Sequence, residues 1–364
     1  MNVALVHDWL IQRGGAESVL EALVALYPGA PVYTATYDSE TMPETYQRWD
    51  IRTTWMNGLP GVYEHFQHYL PLYPFVFDRL KLSGYDLVIS NKSGFCHGFR
   101  TDPGTCHICY CLTPARYLWN YDEYIAREQI NPLLAHSLRP VIFALRQWDR
   151  WVSRRRVDHF IAISTEIQRR IKRVYGRDST IIYPPVDTKR YAPSSTVEDY
   201  CLVVSRLVPY KRVDLAVQAC TKLGLPLLVA GAGRDRERLE RMAGPTVEFL
   251  GRVPDRDLPD LMARCRVFLF PGREDFGIAP VEAQAAGRPV IAYRGGGALD
   301  TVVEGKTGLF FDGQTTGSLC ETLTALADTR FDQRVIRANA ERFDVSEFVQ
   351  GITRYVEACL DTRS

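Results

Sequence analysis

Two glutamates flank a short strand-to-helix connection in the second half of the chain. Glu274 and Glu282 have seven residues between them, and the apolar run 267–270 precedes them. A short apolar run bounded by Pro and Gly predicts a buried strand, and an Ala-rich segment opening at Pro280 predicts a helix. With Pro280 as first helical residue, Ala279 is an N-cap without a side-chain oxygen. An anionic ligand suits that position, because the positive end of the helix dipole faces it.

Two cations follow an earlier apolar run, 200–204, which also predicts a strand. Arg206 and Lys211 would lie just beyond its carboxyl end, where ligands of open α/β sheets bind. Fixed cations and a helix N-terminus together suit a nucleoside diphosphate leaving group, because they meet the charge that grows on it. The alternative is an ordinary surface arginine and lysine.

The frame E-D-F-G-I-A-P-V-E-A-Q-A-A-G-R-P-V-I-A, which begins at Glu274, resembles the signature of retaining GT-B glycosyltransferases of family 4. The resemblance implies an α/β fold with two Rossmann-like domains that face each other across a cleft, and a C-terminal helix that crosses back to the first. It also implies a nucleotide-diphospho-sugar donor, a product that keeps the donor's anomeric configuration, and no metal or other cofactor.

The same resemblance assigns roles to individual residues. Arg206 and Lys211 would bind the donor diphosphate, Glu274 the hydroxyls of the transferred sugar, and Glu282 the ribose. Backbone groups would complete the donor site, at these positions: Gly15 in the first glycine turn, Val253 at the nucleobase, and Phe276, Gly277 and Ile278 near sugar and phosphate.

One position departs from the family pattern. Many relatives have a histidine near the donor sugar where this chain has Leu112. Its role is absent here or falls to His97 or His107. The structural alternative for each histidine is a core position.

Short apolar runs alternate with helical segments along both halves, which predicts two parallel sheets with helices on both faces. A Pro-Pro pair at 184–185 and a polar stretch at 192–199 mark the division. The expected domains are 1–187 on the acceptor side and 188–344 on the donor side, with a closing helix from 345 joining the first. The predicted strands are 2–6, 31–35, 86–90, 106–110, 159–164 and 179–183, then 200–204, 226–230, 247–250, 266–270, 289–293 and 308–311.

The runs 3–9 and 109–119 resemble a narrower subgroup, the mannosyltransferases that build bacterial surface polysaccharides and O-antigens. That resemblance favours GDP-mannose as donor and a glycan or polyprenyl-linked glycan as acceptor. A glycosyltransferase that uses a UDP-sugar instead of GDP-mannose is the alternative.

Composition sets broad limits. The 364 residues suffice for about two domains, and a formal net charge of +1 disfavours a dedicated nucleic-acid binder. Nine scattered cysteines favour a reducing cytoplasm over a disulfide framework or a zinc site. The sequence suggests neither a signal peptide nor a membrane span.

A basic segment at 139–156 repeats apolar residues at helical spacing. Its basic side could contact the cytoplasmic face of the inner membrane, where a lipid-linked acceptor would be found. The alternative is a core-facing apolar stripe with a solvated basic face, which is the usual arrangement of a surface helix.

The sequence is also open to three other interpretations. Gly231 and Gly233 could open a dinucleotide fingerprint of an NAD-dependent oxidoreductase, but position 236, where the third glycine belongs, is Arg. The D-x-D pattern at 255–257 is better explained as a helix start than as a metal site. A non-hydrolysing nucleotide-sugar epimerase shares the GT-B architecture and is the nearest rival.

Overall fold

The computed structural model describes residues 1–128 and 131–361, which fold into two units. Unit 1 comprises the chain up to Tyr183 together with the described residues from Phe348 onward, and unit 2 extends from Pro184 to Glu347. Each unit has its own parallel sheet, as the alternation of apolar runs predicts.

Unit 1 contains a seven-stranded parallel sheet in the order β3-β2-β1-β5-β7-β8-β9. Two further short strands, β4 and β6, pair separately. The strands are β1 Val3–His7, β2 Val32–Thr34, β3 Ile51–Thr53, β4 Lys81–Leu82, β5 Leu87–Lys92, β6 Arg100–Thr101, β7 Cys106–Cys111, β8 His159–Ala162 and β9 Thr180–Ile181.

The helices of unit 1 connect these strands. They are α1 Gly15–Leu26, α2 Tyr73–Arg79, α3 Arg116–Trp119, α4 Tyr121–Glu128, α5 Pro132–Arg155 and α6 Thr165–Tyr175. The last helix of the chain, α14 Val345–Asp361, contributes Phe348 to the unit 1 core, where its ring lies 5.6 Å from Tyr110.

Unit 2 contains a six-stranded parallel sheet in the order β12-β11-β10-β13-β14-β15. The strands are β10 Cys201–Val204, β11 Leu227–Ala230, β12 Val247–Gly251, β13 Val267–Phe270, β14 Val290–Tyr293 and β15 Gly308–Phe311. The helices are α7 Val213–Leu223, α8 Arg236–Met242, α9 Leu258–Arg264, α10 Ile278–Ala285, α11 Ala298–Thr301, α12 Thr316–Ala325 and α13 Gln333–Glu341.

Both sheets have Rossmann strand order. In each, the chain begins with a central strand, adds two strands on one side of it, and then returns to add the others on the opposite side. All twelve predicted strands are present, with ends that differ by a few residues. The three that sequence reasoning missed are β3, β4 and β6, which have only two or three residues each.

Helix α5 shows how the basic segment is used. Leu145 and Val152 are buried and Trp148 packs on Phe95, so the core-facing interpretation of the apolar stripe is confirmed at these positions. The fourth stripe residue, Val141, is 40% exposed. The basic side is not simply solvated, because three arginines donate to backbone carbonyls: Arg146 to Leu118, Arg150 to Val174 and Arg154 to Tyr175.

A buried polar cluster lies beneath α5. Lys92 and Asp149 are fully buried, with 3.7 Å between Nζ and Oδ1, and Tyr175 accepts from Lys92 while donating to Asp149. Burial alone would raise the pKa of Asp149, but the Lys92 charge and hydrogen bonds from His97 and Trp119 hold it at about 2. Each charge is therefore stabilised by the other.

Replacing Lys92 by Met should lower the free energy of unfolding of unit 1 by about 3 kcal/mol, because Asp149 would keep its buried charge without the lysine. All six tryptophans belong to unit 1, so their fluorescence during urea unfolding reports on this unit alone. Lys81→Met, at a 70% exposed side chain, is the control and should change stability by less than about 0.5 kcal/mol. Equal stability of the two variants would contradict a structural ion pair.

Candidate functional site

The centre of the unit 2 sheet creates a crevice at the carboxyl ends of β10 and β13. These strands are neighbours, and the chain proceeds from β10 outward in one direction and from β13 in the other. Helices that follow such strands leave on opposite faces, so ligands of Rossmann sheets bind at this point. The segments 205–211 and 271–278 leave the sheet there, and both had been selected from sequence.

Lys211 and Glu274 meet at this crevice. The lysine Nζ lies 2.5 Å from Glu274 Oε2, and the side chains are 14% and 19% exposed. The backbones of the two loops also pack closely, because a Cβ added at Gly272 would lie only 2.9 Å from the Lys211 carbonyl oxygen. The predicted cation and carboxylate therefore form one largely buried ion pair beyond the carboxyl ends of the two central strands.

Arg206 lies on the same loop but is exposed. Its guanidinium donates to the Tyr210 hydroxyl at 3.2 Å. Behind it, Gly231 and Gly233 have φ values of 142° and 157°, and a Cβ at either would collide with a carbonyl of Ser205 or Leu207. The two glycines thus allow the loop after β11 to pack on the Arg206 loop, which explains them without a dinucleotide fingerprint.

Helix α10 begins earlier than predicted. Its first residue is Ile278 and its N-cap is Gly277, so the predictions of Ala279 as N-cap and Pro280 as first helical residue were wrong. Gly277 has φ 91°, and a Cβ there would lie 2.8 Å from the Phe270 ring. Glycine therefore makes the turn into the helix. No side chain caps this end, so its first N–H groups and the positive end of the helix dipole offer a place for an anion.

Glu282 consequently lies in the second turn of α10, whereas a helix that began at Pro280 would have placed it in the first turn. Burial raises its pKa, a hydrogen bond with Tyr191 and the charge of Arg190 lower it, and the carboxylate of Asp255 raises it again. Val253, the predicted nucleobase position, lies half-buried just after β12. It precedes Asp255 by two residues in the sequence. Glu282 is thus a carboxylate held in a poorly hydrated setting.

A glycine run that sequence analysis did not assign supports the Glu274 loop. Gly297 N–H donates to the Glu274 carbonyl at 2.8 Å. A Cβ at Gly296 would collide with that carbonyl, and one at Gly297 would collide with the backbone of Phe276. The three consecutive glycines at 295–297 were the available signal, since such runs permit close backbone approach.

The remaining predicted residues lie in unit 1 or in the protein interior. Gly15 is the first residue of α1, whose N-cap Gly14 also provides no side-chain hydrogen bond. His97 is buried against Asp149 and Ser153. His107 is buried between the Ser90 hydroxyl and the Arg156 carbonyl, and burial lowers its pKa to about 3. Neither ring is at a surface, so the structure does not support a sugar-side role for either.

Residues 1–128 and 131–361 contain no group of three or more His, Cys, Asp or Glu side chains placed to hold a metal ion. In that same part of the chain, no helix combines the length and the apolar character that a membrane span requires.

Comparison with known families places the chain. Residues 188–343 match the family model described as glycosyl transferases group 1, and residues 13–190 match the model described as glycosyltransferase family 4. The two matches together extend over both units. The chain belongs to the family 4 glycosyltransferases.

Individual relatives agree with this placement. A GDP-mannose-dependent monoacylated alpha-(1-6)-phosphatidylinositol monomannoside mannosyltransferase of Corynebacterium glutamicum is 34% identical over 204 residues, which are 47% of this chain and 53% of that protein. The chain thus spans about half the length of the curated relatives it matches.

Solved structures match over nearly the whole chain. Sucrose-phosphate synthase of Thermosynechococcus elongatus superposes with a TM-score of 0.73 at 18% identity, over 99% of each chain. Anabaena HepE in complex with UDP gives 0.71 at 20% identity, over 98% of this chain and 100% of the other. At such identities the likeness concerns the fold alone, and the predicted GT-B fold class is confirmed.

Gly297→Ala should destabilise unit 2 by about 2 kcal/mol or more, because the added Cβ forces the 274–276 backbone to move. Gly317→Ala is the matched control, since a Cβ there meets nothing within 4 Å. Its position in α12 should make the protein equally stable or more stable by up to about 1 kcal/mol. Thermal unfolding by circular dichroism compares the two, and hydrogen exchange of 271–278 locates the change. Indistinguishable variants would refute the packing argument.

Proposed function

We propose that the protein is a retaining glycosyltransferase that moves a sugar from a nucleotide-diphospho-sugar to a glycan or lipid-linked glycan. The observation that carries the proposal is the Lys211–Glu274 ion pair beside the uncapped start of α10, at the crevice of a Rossmann sheet. This arrangement offers a cation and free N–H groups to a diphosphate, and a carboxylate to sugar hydroxyls.

In this proposal the diphosphate lies between the Arg206 loop and the N-terminus of α10. Lys211, Arg206 and the N–H groups at Gly277 and Ile278 would oppose the charge that develops on the leaving phosphate. Such fixed charges and dipoles need no reorganisation during the reaction, which is why they stabilise transition states effectively. They also make a metal ion unnecessary for leaving-group departure, and we propose metal-independent catalysis on that ground.

The two glutamates would hold the rest of the donor. Glu274 would accept hydrogen bonds from hydroxyls of the transferred sugar, in exchange for part of its contact with Lys211. Glu282 would accept both ribose hydroxyls, because one carboxylate can bind two donors side by side. Backbone groups at Val253 would contact the nucleobase.

The reaction would proceed at one face of the sugar. The acceptor hydroxyl oxygen forms a bond to the anomeric carbon as the bond from that carbon to the phosphate oxygen breaks. The acceptor's proton passes to the departing phosphate, so the products are a glycoside of unchanged anomeric configuration and a nucleoside diphosphate. This scheme requires no protein nucleophile, in contrast to the paired carboxylates of retaining glycosidases.

GDP-mannose is the donor that we propose. The name of the Corynebacterium relative supports it, whereas the UDP bound to Anabaena HepE leaves UDP-sugars as the alternative. A physical argument also favours guanine. Its amino group and neighbouring ring N–H form a pair of donors, whereas uracil has a single ring N–H, and a carboxylate accepts only. Asp255, whose charge reaches Glu282, supplies a carboxylate two residues from Val253.

For the acceptor we propose a glycan or polyprenyl-linked glycan at the cytoplasmic face of the inner membrane. The support is the lipid-linked substrate in the name of the Corynebacterium relative and the subgroup to which the sequence is similar. The enzyme would then be cytoplasmic, with peripheral contact to that membrane.

Glu274→Gln should reduce sugar transfer at least about 100-fold while the fold is retained, because the variant loses charge but little volume. The assay follows radiolabelled mannose from GDP-mannose into membrane lipid and glycan fractions. Glu240→Gln, at another ion-paired carboxylate of unit 2, should keep near-normal transfer. Near-normal turnover by Glu274→Gln would refute the assigned role, and isomerised nucleotide sugar without transfer would identify an epimerase.

GDP and GDP-mannose should raise the thermal unfolding temperature more than UDP-, ADP- or dTDP-sugars at equal concentration. Ligand at about 100 times Kd stabilises the native state by about 2.7 kcal/mol. Asp255→Ala should narrow the difference between GDP and UDP, whereas Asp257→Ala, at an equally exposed carboxylate two residues further on, should not. The shifts should persist in EDTA. A larger shift with UDP would overturn the donor assignment, and loss of binding in EDTA would overturn metal independence.

A further inference from the structure

Exposed aromatic side chains are unevenly distributed between the units. In the described part of the chain, the large hydrophobic residues exposed on unit 2 are all aliphatic: Val197, Leu223, Leu299 and Val335. The exposed aromatic residues all belong to unit 1: Trp55, Tyr63, Phe75, Phe143 and Trp151. Exposed aromatic groups that cluster on one part of a protein usually mark an interaction surface.

The outward side of α5 carries two of these aromatics. Phe143 is 63% exposed and Trp151 is 49% exposed, and Leu133 near the start of the helix is 82% exposed. The spacing from 143 to 147, 151 and 155 is that of one helix face. This face ends in the exposed side chain of Arg155, and none of these four positions is a carboxylate.

Helix α2 continues the same surface. Asp78 of α2 binds two arginines, with 2.7 Å to Arg100 and 2.5 Å to Arg156. The Arg156 guanidinium lies 4.9 Å from the centre of the Trp151 ring. Phe75, which is 61% exposed, precedes Asp78 by three residues and therefore lies on the same side of α2.

These residues define the α2–α5 surface: Phe75, Phe143, Trp151, Arg79, Arg100 and Arg155. Its charge is positive, because the single carboxylate Asp78 is shared between two guanidinium groups. Burial would raise the pKa of Asp78, but Arg156 and Arg100 hold it below its ordinary value, so it stays ionised and neutralised. Arg79 and Arg155 are exposed and have no ion-pair partner among the described residues.

We propose that the α2–α5 surface docks onto the headgroup region of an anionic lipid bilayer. The exposed aromatic side chains would enter the interface, and the arginines would contact lipid phosphates. The inference deepens the proposed function and rests on it, since it gives a lipid-linked acceptor a place to approach unit 1. It does not use the arginines at 146, 150 and 154 that cap backbone carbonyls.

Charge argues against two other occupants. A symmetric dimer would place this positive surface against its own copy, and like charges there oppose association. A nucleic acid would favour a strongly basic protein, whereas the formal net charge here is +1. An anionic lipid bilayer is complementary both to the positive charge of this surface and to its exposed apolar groups.

The test is co-sedimentation with vesicles of phosphatidylcholine alone or mixed with phosphatidylglycerol. Wild-type protein should bind the anionic vesicles at least about tenfold more strongly than the neutral ones, because each basic residue near an anionic surface contributes about 1 kcal/mol. Salt at about 1 M should weaken the binding by screening. Equal binding to both vesicles, or none, overturns the proposal.

Two variants and a control separate the contributions. Phe75→Ser with Phe143→Ser should reduce binding to anionic vesicles by about tenfold or more, and Arg79→Glu with Arg155→Glu should abolish the preference for them. Leu299→Ser with Val335→Ser, at the 48% and 43% exposed positions of unit 2, should bind like wild type. Equal loss in all three, or in none, overturns the assignment of the surface.

Two further measurements remove ambiguity. GDP-induced thermal shifts without vesicles should be unchanged in all three variants, so failure of donor binding and failure of lipid docking are distinguished. Light scattering after size-exclusion chromatography should show the same mass for wild type and the Phe75/Phe143 variant. A dimer that this variant dissociates would assign the surface to a second copy and overturn the lipid proposal.

Discussion

The contact between Lys211 and Glu274 is the interaction on which the functional argument depends. It forms where the order of strands reverses, so the two residues come from connections that leave neighbouring strands on opposite sides. An ion pair that is mostly shielded from water is costly to break without replacement, since either charge alone would be poorly solvated. A diphosphate and a sugar hydroxyl can replace both partners at once. The ion pair therefore stabilises the crevice, and a ligand of suitable chemistry can still replace the contact between its two partners.

Unit 1 has a crevice of the same kind, but it is filled by the chain itself. Asp8, just after β1, accepts hydrogen bonds from four successive N–H groups, those of Ser93, Gly94, Phe95 and Cys96, at 2.6–2.8 Å. A turn of backbone N–H groups binds anions, and here the anion is a buried aspartate. In unit 2 the corresponding donors at α10 have no side-chain cap. The two sheets share a strand order, and this difference favours the start of α10 over the 93–96 turn of unit 1 as a phosphate site.

Sequence reasoning identified the regular features well and the irregular ones poorly. Apolar runs located every long strand. Lys211 and Glu274 were selected because each is a charged residue that follows a predicted strand, and the structure brings them together. The start of α10 was misplaced because the rule for Pro at the first helical position outweighed Gly277, whose positive φ makes the turn. The carbonyl-capping role of Arg146 and Arg150 depends on where α3 and α6 end in space, which no local pattern contains. His97 became a core residue for the same reason, because Asp149 lies 52 positions further along the chain.

The setting of Glu282 indicates how the site's stability and its binding are coupled. Burial places its pKa above the ordinary glutamate value, so the folded protein binds a proton there more tightly than the unfolded chain does. Its contribution to stability is therefore greatest below the unfolded pKa and is lost as the pH rises through the raised, folded value. In its ionised form, the carboxylate is stabilised mainly by one hydrogen bond, from Tyr191. A ligand with two adjacent hydroxyl donors would satisfy the remaining acceptor positions, so the folded protein gains most from such a ligand when Glu282 is ionised.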